Sequence, residues 1–318
     1  MNQSKKITDG ALLTAIYIVL LLIIIFIPFV ITFGIFLLPV PFVIYAARHG
    51  WKPALIMLLV AILLSFIFAT VISLPVTLLV GIGGILLGGA IHRDLKPYEV
   101  WAQGALGFII GMVLVLLTLQ FVANFNIYQE MDVAIEDSIA MTREIFGQMG
   151  LDTETEEQLE QFENQMYAFK DLLPSSIAIA SIFLAFISQW ISYKVINRME
   201  NKKLSFPPFK NFNLPVSLIW IYFFALILSF VDLGQGSGLY LVVMNVVALT
   251  IVLITIQGYS FIFFYADHKK LHKSIPIIIV VITLLLPFLF LFLIRIIGII
   301  DLGFSLKARL AGEDTRNR

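Results

Sequence analysis

Long uninterrupted runs of apolar residues constrain the fold of this chain more than any other feature of its sequence. Hydrophobic residues make up 60% of the 318 residues, and charged residues only 13%. A helix of about 20 apolar residues spans the hydrocarbon core of a bilayer. Open sheets would leave backbone groups unpaired in hydrocarbon, and outer-membrane strands would show alternating hydrophobicity. The sequence therefore predicts an all-α, polytopic transmembrane helical bundle.

About nine spans are predicted from the apolar runs, with prolines at many of their starts and junctions. They cover residues 10–26, 29–45, 54–73, 75–91, 100–124, 174–196, 215–231, 239–265 and 275–299, with a kink expected at Pro287 in the last. This gives four regions: spans one to five in 1–125, a polar segment in 126–173, spans six to nine in 174–300, and a polar tail in 301–318.

Lysine and arginine are concentrated in alternate connections, which predicts that these connections lie on the cytoplasmic side. The basic connections contain Lys5, Lys6, Arg48, Lys52, Arg93, Lys96, Arg198, Lys202, Lys203, Lys210, Lys269, Lys270 and Lys273. We expect a multi-pass cell-membrane protein with a cytoplasmic N-terminus. An odd number of spans puts the C-terminal tail outside, whereas the basic residues of that tail, such as Lys307 and Arg309, favour the inside. The sequence leaves this conflict open.

The segment 126–173 is strongly acidic, with twelve acidic residues against only Arg143 and Lys170. Its apolar residues recur every three or four positions, which is typical of amphipathic helices. We predict two helices that turn near Gly150 and form an extracytoplasmic hairpin. Two roles stay open for it: a solvated structural hairpin, or an arm that docks a partner or acts as a lid.

Glycines crowd the fourth and fifth predicted spans, and we assign them to helix packing, because glycine lets a second helix approach closely within lipid. The packing positions are Gly84, Gly88, Gly104, Gly107 and Gly111. A phosphate-binding loop is excluded, because no lysine follows these glycines as the Walker pattern requires. We therefore expect no motor domain in this chain.

His268 and His272 are four residues apart, which would place both imidazoles on one helical face, as a metal site needs. Neighbouring lysines repel a divalent cation, and a basic strip beside anionic lipid explains the segment more simply. The chain has no cysteine, and no catalytic motif of a metalloprotease or serine hydrolase occurs in the spans. We expect no metal, no cofactor, no catalytic residues, no enzymatic activity and no nucleic-acid partner.

Polar residues within apolar spans are costly in hydrocarbon and usually face a bundle interior or a cavity. Gln120 and Asn124 end span five, and Ser176 and Ser181 begin span six, so all four are predicted at similar depth. We hypothesise that these four residues bind a substrate. Interhelical hydrogen bonding is the alternative for each of them, and also for Gln189, Asn245 and Gln257.

The first span contains Gly10-Ala11-Leu12-Leu13-Thr14-Ala15, an Ala-xxx-Ala face, and is followed by a short second span and a glycine-rich fourth. This pattern resembles the six-span S components of energy-coupling-factor vitamin transporters. The whole chain is similar to the YybS-like family of bacterial membrane proteins, which is grouped with those S components. The S-component resemblance covers roughly residues 8–196. It implies that Ala11 and Ala15 face a transmembrane coupling subunit, which associates with ATPase subunits, and that the ligand binds in the outer half of the bundle.

Two functions follow as hypotheses. The first is a small-molecule transport or substrate-binding component of the S-component type, without a motor of its own and with an unidentified ligand. The second is a non-transporting membrane scaffold or regulatory protein that docks a partner through the acidic hairpin.

Overall fold

The computed structural model describes residues 3–27, 29, 31–71, 73–148, 154–234 and 236–316, which form helices joined by turns, with no strand among them. The helices are α1 (Gln3–Phe26), α2 (Ile31–Gly34), α3 (Val40–His49), α4 (Trp51–Ala69), α5 (Ser73–His92), α6 (Pro97–Ala123), α7 (Ile127–Gln148), α8 (Glu154–Asp171), α9 (Leu173–Glu200), α10 (Ser217–Ser229), α11 (Gly238–His268), α12 (Ser274–Leu285), α13 (Pro287–Phe304) and α14 (Leu306–Arg316). A 3-10 turn occupies Phe209–Asn211.

Seven helices of the described ranges are long and apolar enough to cross a membrane: α1, α4, α5, α6, α9, α11 and α13. Two further apolar helices, α10 and α12, have only 13 and 12 residues. The prediction of an all-α polytopic bundle is confirmed. The predicted count of about nine spans is not.

The second predicted span, 29–45, differs most from the structure, in which the corresponding helix α3 begins only at Val40. Pro39 precedes α3 and Pro41 lies in its first turn. Proline has no amide hydrogen to donate and is tolerated only in the first helical turn, so these two residues set the helix start. Hydropathy detected the apolar run but not this start.

The chain packs as two compact units. The first unit consists of Met1–Lys170 and Ile177–Phe206, and the second of Asp171–Ser176 and Pro207–Arg318. The predicted regions follow chain order, whereas packing groups most of the acidic segment with the first unit. Each unit is described separately below.

Helix α5 lies at the centre of the first unit, because its glycines let α3 approach its backbone. A methyl group added at Gly84 would lie 2.8 Å from both Phe42 Cβ and the Pro39 carbonyl oxygen. A methyl group added at Gly88 would overlap the Val43 carbonyl oxygen. Small residues four positions apart permit such backbone approach between helices in lipid.

Helix α6 packs on another face of α5 through its own three glycines. A methyl group would lie 2.9 Å from Leu86 Cβ if added at Gly107, and 2.9 Å from Leu79 Cα if added at Gly111. At Gly104 it would lie 3.0 Å from Leu87 Cδ1. The glycines of spans four and five are therefore sites of close helix contact.

A buried chain of hydroxyl groups joins three helices inside the first unit. The Tyr17 hydroxyl of α1 donates to Thr77 Oγ1 of α5 at 2.7 Å, and Thr77 donates to Ser65 Oγ of α4 at 3.1 Å. All three side chains are buried. Buried hydroxyl groups need partners, so this chain fixes the relative positions of α1, α4 and α5.

The acidic segment forms two amphipathic helices, as predicted, although neither is continuous with its neighbouring span. Asn124 adopts a left-handed backbone conformation with φ 50° and ends α6, and α7 begins at Ile127. Ile135, Ile139 and Leu159 are buried along the hairpin, and the Lys170 ammonium pairs with the Asp132 carboxylate. The turn predicted near Gly150 lies outside the described residues.

In the second unit, α11 and α13 contact each other through a pair of glycines. A methyl group added at Gly258 would overlap the Ile294 carbonyl oxygen, and one added at Gly298 would overlap the Ile254 carbonyl oxygen. The two backbones therefore touch without any intervening side chain.

The ninth predicted span, 275–299, is divided in the structure into α12 and α13. Leu286, with φ −129° and ψ 63°, separates the helices just before Pro287. The chain leaves α11 at Lys269, and α13 ends beside the second half of α11, where Gln257 Nε2 donates to Asp301 Oδ2 at 2.6 Å. Helix α12 therefore leads away from the end of the second unit at which α11 ends, and α13 leads back toward that end. Pro287 marks a reversal of the chain and not a kink within one span.

Candidate functional site

The first unit contains a charged cavity of about 550 Å³, which we call the basic-end cavity. Small-molecule sites generally have volumes of about 300–1,000 Å³. The cavity is lined by Lys5, Asp9, Ala47, Arg48, His49, Ile91, His92, Asp94, Met199, Glu200 and Lys202.

Four helix ends bring these charges together. The cavity lies near the start of α1 and at the last turns of α3, α5 and α9. Cations are favoured at helix C-termini because the backbone carbonyls there carry partial negative charge. Arg48 and His49 at the end of α3 and His92 at the end of α5 occupy such positions.

Arg48 bridges two carboxylates in the wall of the cavity. Its Nε lies 2.6 Å from Glu200 Oε1, and its Nη1 lies 3.7 Å from Asp9 Oδ2. Lys202 Nζ approaches the other oxygen of Glu200 at 3.0 Å. The side chains of Arg48, Asp9 and Glu200 are 23%, 18% and 20% exposed, so these pairs are only partly screened by solvent.

His49 is the most deeply buried titratable side chain of this cluster, with 3% of its side chain exposed. Its Nε2 lies 3.0 Å from Asp9 Oδ2, and its ring contacts Tyr45 at a centroid distance of 4.9 Å. Its Nδ1 is buried and has no hydrogen-bond partner. The imidazole therefore retains one free nitrogen in the wall of the cavity.

The cavity lining contains charged side chains of both signs. Within the described residues, no group of three or more histidine, cysteine, aspartate or glutamate side chains could hold a metal. The lining includes the cations Lys5, Arg48 and Lys202 and the anions Asp9, Asp94 and Glu200. A solute with both positive and negative groups can exchange hydrogen bonds with these pairs.

The four residues predicted to bind substrate occupy different surroundings. Gln120 is exposed and lines a mostly apolar cavity of about 230 Å³ together with Phe125 and Tyr128. Asn124 is exposed at the end of α6. Ser181 belongs to the first unit, and its hydroxyl is buried without a hydrogen-bond partner.

Ser176, the fourth of these residues, is exposed and belongs to the second unit. Its assignment to a common site with the other three stays a prediction, as does substrate binding by all four.

All three of the other polar residues make interhelical hydrogen bonds, including Gln257 of α11, which donates to Asp301 of α13. Asn245 Nδ2 donates to the Asp171 carbonyl at 2.7 Å, and its Oδ1 accepts from the Ser175 amide at 2.7 Å, beside the start of α9. Gln189 Nε2 donates to the Pro97 carbonyl of α6 at 2.8 Å. For these side chains the structure favours the packing alternative.

Ala11 and Ala15, predicted to face a coupling subunit, both lie on an exposed face of α1. Leu12 and Ile16 flank them with 60% and 42% of their surface exposed. The opposite face of α1, including Leu13 and Tyr17, is buried in the first unit.

Sequence reasoning missed the basic-end cavity, because its partners are far apart in the chain. Arg48 and Glu200 are separated by 152 positions. One signal was present: Asp9 and Glu200 are single acidic residues beside clusters of lysine and arginine at predicted span ends. Isolated acids in such positions indicate ion pairing within the protein.

The apolar helices, with their charged ends and glycine contacts, define an all-α polytopic membrane protein. The chain belongs to the DUF2232 family of predicted membrane proteins, whose family model matches residues 15–302. It is 29% identical over 311 residues to the Bacillus subtilis (strain 168) protein named "Uncharacterized protein YybS", an alignment that covers 98% of this chain and 100% of that protein. No solved structure matches. The resemblance to YybS-like proteins is thereby confirmed.

Proposed function

We propose that the protein is a small-molecule transport or substrate-binding membrane component of the S-component type, and that a polar solute occupies the basic-end cavity. The observation that supports this most is the cavity itself, which has the volume of a small-molecule site and a lining of paired charges.

The proposed orientation places the basic-end cavity on the cytoplasmic side. Helix α6 has 27 residues, so it is about 40 Å long and separates the cavity at its start from the acidic hairpin beyond its end. With the basic connections inside, the hairpin is extracytoplasmic. A solute in the cavity is then positioned for release to the cytoplasm.

The exposed face of α1 is the proposed contact for a coupling subunit. Ala11 and Ala15 leave a shallow surface there, and helices in lipid associate through such small residues. Energy would come from ATPase subunits in the same complex, since the sequence has no nucleotide-binding motif of the Walker type.

We expect the Arg48→Ala variant to lose its bound solute, because the substitution leaves two carboxylates without their shared cation. Hydrogen bonds to charged groups contribute about 1.5–3 kcal/mol, so the affinity should fall about tenfold or more. The matched control is Lys52→Ala, which removes an exposed cation four residues away that does not line the cavity. The measurement is mass spectrometry of the small molecules and proteins that co-purify with each variant from native membranes.

The proposal fails if the wild-type protein carries neither a polar solute nor a coupling subunit, or if both variants retain the solute equally. Co-purification of a protein partner that is lost when residues 130–170 are deleted, with no solute bound, would favour the scaffold hypothesis instead.

A further inference from the structure

The second unit contains a buried polar cluster that has no role in the proposed solute site. It joins the turn after Phe209, the second half of α11, the end of α13 and the start of α14. Its side chains are Asn213, Gln257, Ser260, Asp301 and Lys307. Gln257 and Ser260 are fully buried, and Asp301 is 2% exposed.

The Lys307 ammonium lies in a cage of three oxygen atoms. Its Nζ donates to the Phe212 carbonyl at 2.7 Å and to Ser260 Oγ at 2.8 Å. The third oxygen, Asp301 Oδ2, lies 3.6 Å from Nζ, which is too long for a hydrogen bond. The ammonium therefore neutralises the carboxylate without filling the cage closely.

The Asp301 carboxylate is held in place independently of this ammonium. Gln257 Nε2 donates to Asp301 Oδ2 at 2.6 Å, and the backbone amide of Lys307 donates to Asp301 Oδ1 at 3.1 Å. Gln257 is itself fixed by Asn213 Oδ1 at 2.9 Å and by the Leu214 amide at 3.0 Å. Removing the lysine side chain would leave a preformed anionic site.

A cavity of about 90 Å³ adjoins this cage and is lined by Asn213, Asp301, Ser305 and Lys307 among others. Its volume exceeds the roughly 30 Å³ that a water molecule occupies in the liquid. There is thus space beside the carboxylate for an ion or a water molecule while Lys307 is in place.

We propose that this cage is a binding site for a monovalent metal cation, sodium or potassium, and that Lys307 occupies it as a tethered competitor. The cage consists of the Asp301 carboxylate, the Ser260 hydroxyl and the Phe212 carbonyl, which lies outside any helix. Unwound backbone carbonyls of this kind coordinate sodium within membrane proteins. Exchanging the ammonium for a monovalent cation conserves the local charge. A divalent cation would leave one buried charge uncompensated, which is unfavourable.

The position of Lys307 permits this exchange. Ser305 adopts a left-handed conformation with φ 51° between α13 and α14, which turns the chain so that Lys307 folds back over the end of α13. The side chain is on a short terminal helix and can withdraw without separating α11 from α13.

The test uses the full-length protein in detergent and follows Tm against NaCl or KCl, with choline chloride keeping the ionic strength constant. We expect Lys307→Ala to show a saturable rise in Tm with sodium or potassium, and the wild type to need about tenfold more cation because its site is mostly occupied. Adding Asp301→Asn to Lys307→Ala should abolish the response. Arg309→Ala, an exposed cation on the same helix, should behave like the wild type.

A purely structural role for Lys307 predicts a different result. Lys307→Ala would then be less stable at every salt composition, and neither sodium nor potassium would restore it beyond choline. That outcome overturns the proposal, as does a cation response that persists in the double variant. All of the residues involved belong to the second unit, so failure here leaves the solute proposal for the first unit untouched.

Discussion

The Gly258→Ala variant is expected to be severely destabilised, by about 3 kcal/mol or more. An added methyl group would overlap the Ile294 carbonyl oxygen, and a backbone atom cannot move aside as a flexible side chain can. Overpacking in a well-packed interior typically costs about 1–3 kcal/mol, and separation of α11 from α13 places this case at the upper end. The readouts are Tm and the yield of monodisperse protein in detergent.

The same helix provides the control for this prediction. Gly238 is the first residue of α11, and nothing lies within 4 Å of a methyl group added there. Gly238→Ala should therefore leave Tm unchanged or raise it slightly, since alanine favours helix over glycine. Equal stability of the two variants would show that α11 and α13 do not touch at Gly258.

The second large effect is expected at Gly88, where alanine should separate α3 from α5. The added methyl group would overlap the Val43 carbonyl oxygen and lie 2.7 Å from Ala46 Cβ. We expect a loss of about 2–3 kcal/mol, measured as a fall in Tm. Because α3 supplies Arg48 and His49, the variant should also retain less solute in the basic-end cavity.

Gly89, the next residue in the same helix, is the matched control. A methyl group there would lie 3.4 Å from Trp51 Cβ, which is ordinary contact distance. Gly89→Ala should keep the wild-type Tm. A general intolerance of α5 to alanine would affect both positions alike and would contradict the contact with α3.

Hydropathy identified the long helices well, because apolarity over about 20 residues is a property of the local sequence. The predicted span 75–91 falls within α5, and the predicted span 239–265 falls within α11. The predicted span 100–124 overlaps α6. The acidic hairpin was likewise recognisable, because its apolar period is that of an amphipathic helix. What hydropathy does not measure is the direction in which a helix runs.

The direction of the last helices decides on which side of the membrane the C-terminal tail lies, and the sequence alone leaves that side open. A single span over 275–299 would carry the tail to the opposite side from Lys269. The reversal at Leu286 instead returns the chain, and Lys307 then contacts Phe212 and Ser260 at the end of the second unit that also contains the Lys210–Asp267 pair, 2.5 Å apart. Lys307 of the tail thereby lies at the same end as Lys210 of that unit.

The candidate sites could not be predicted from the sequence for a different reason. Arg48 pairs with Asp9 and Glu200, and Gln257 pairs with Asp301, across helices that are distant in the chain. Composition indicated that each polar residue needed a partner, but only the packing of helices identifies which one. Gln257 was recognised as costly in a span, and its interhelical hydrogen bonds explain how that cost is offset.

The central claim, that the basic connections and the C-terminal tail share the cytoplasmic side while the acidic hairpin lies outside, can be measured directly because the chain has no cysteine. Single cysteines at the exposed positions Gln129, Lys203 and Arg309 report the hairpin, the connection after α9 and the tail. In intact bacterial cells, a membrane-impermeant maleimide should label Gln129→Cys alone, and permeabilisation should expose the other two. Labelling of Lys203→Cys or Arg309→Cys in intact cells, or protection of Gln129→Cys, would contradict this arrangement.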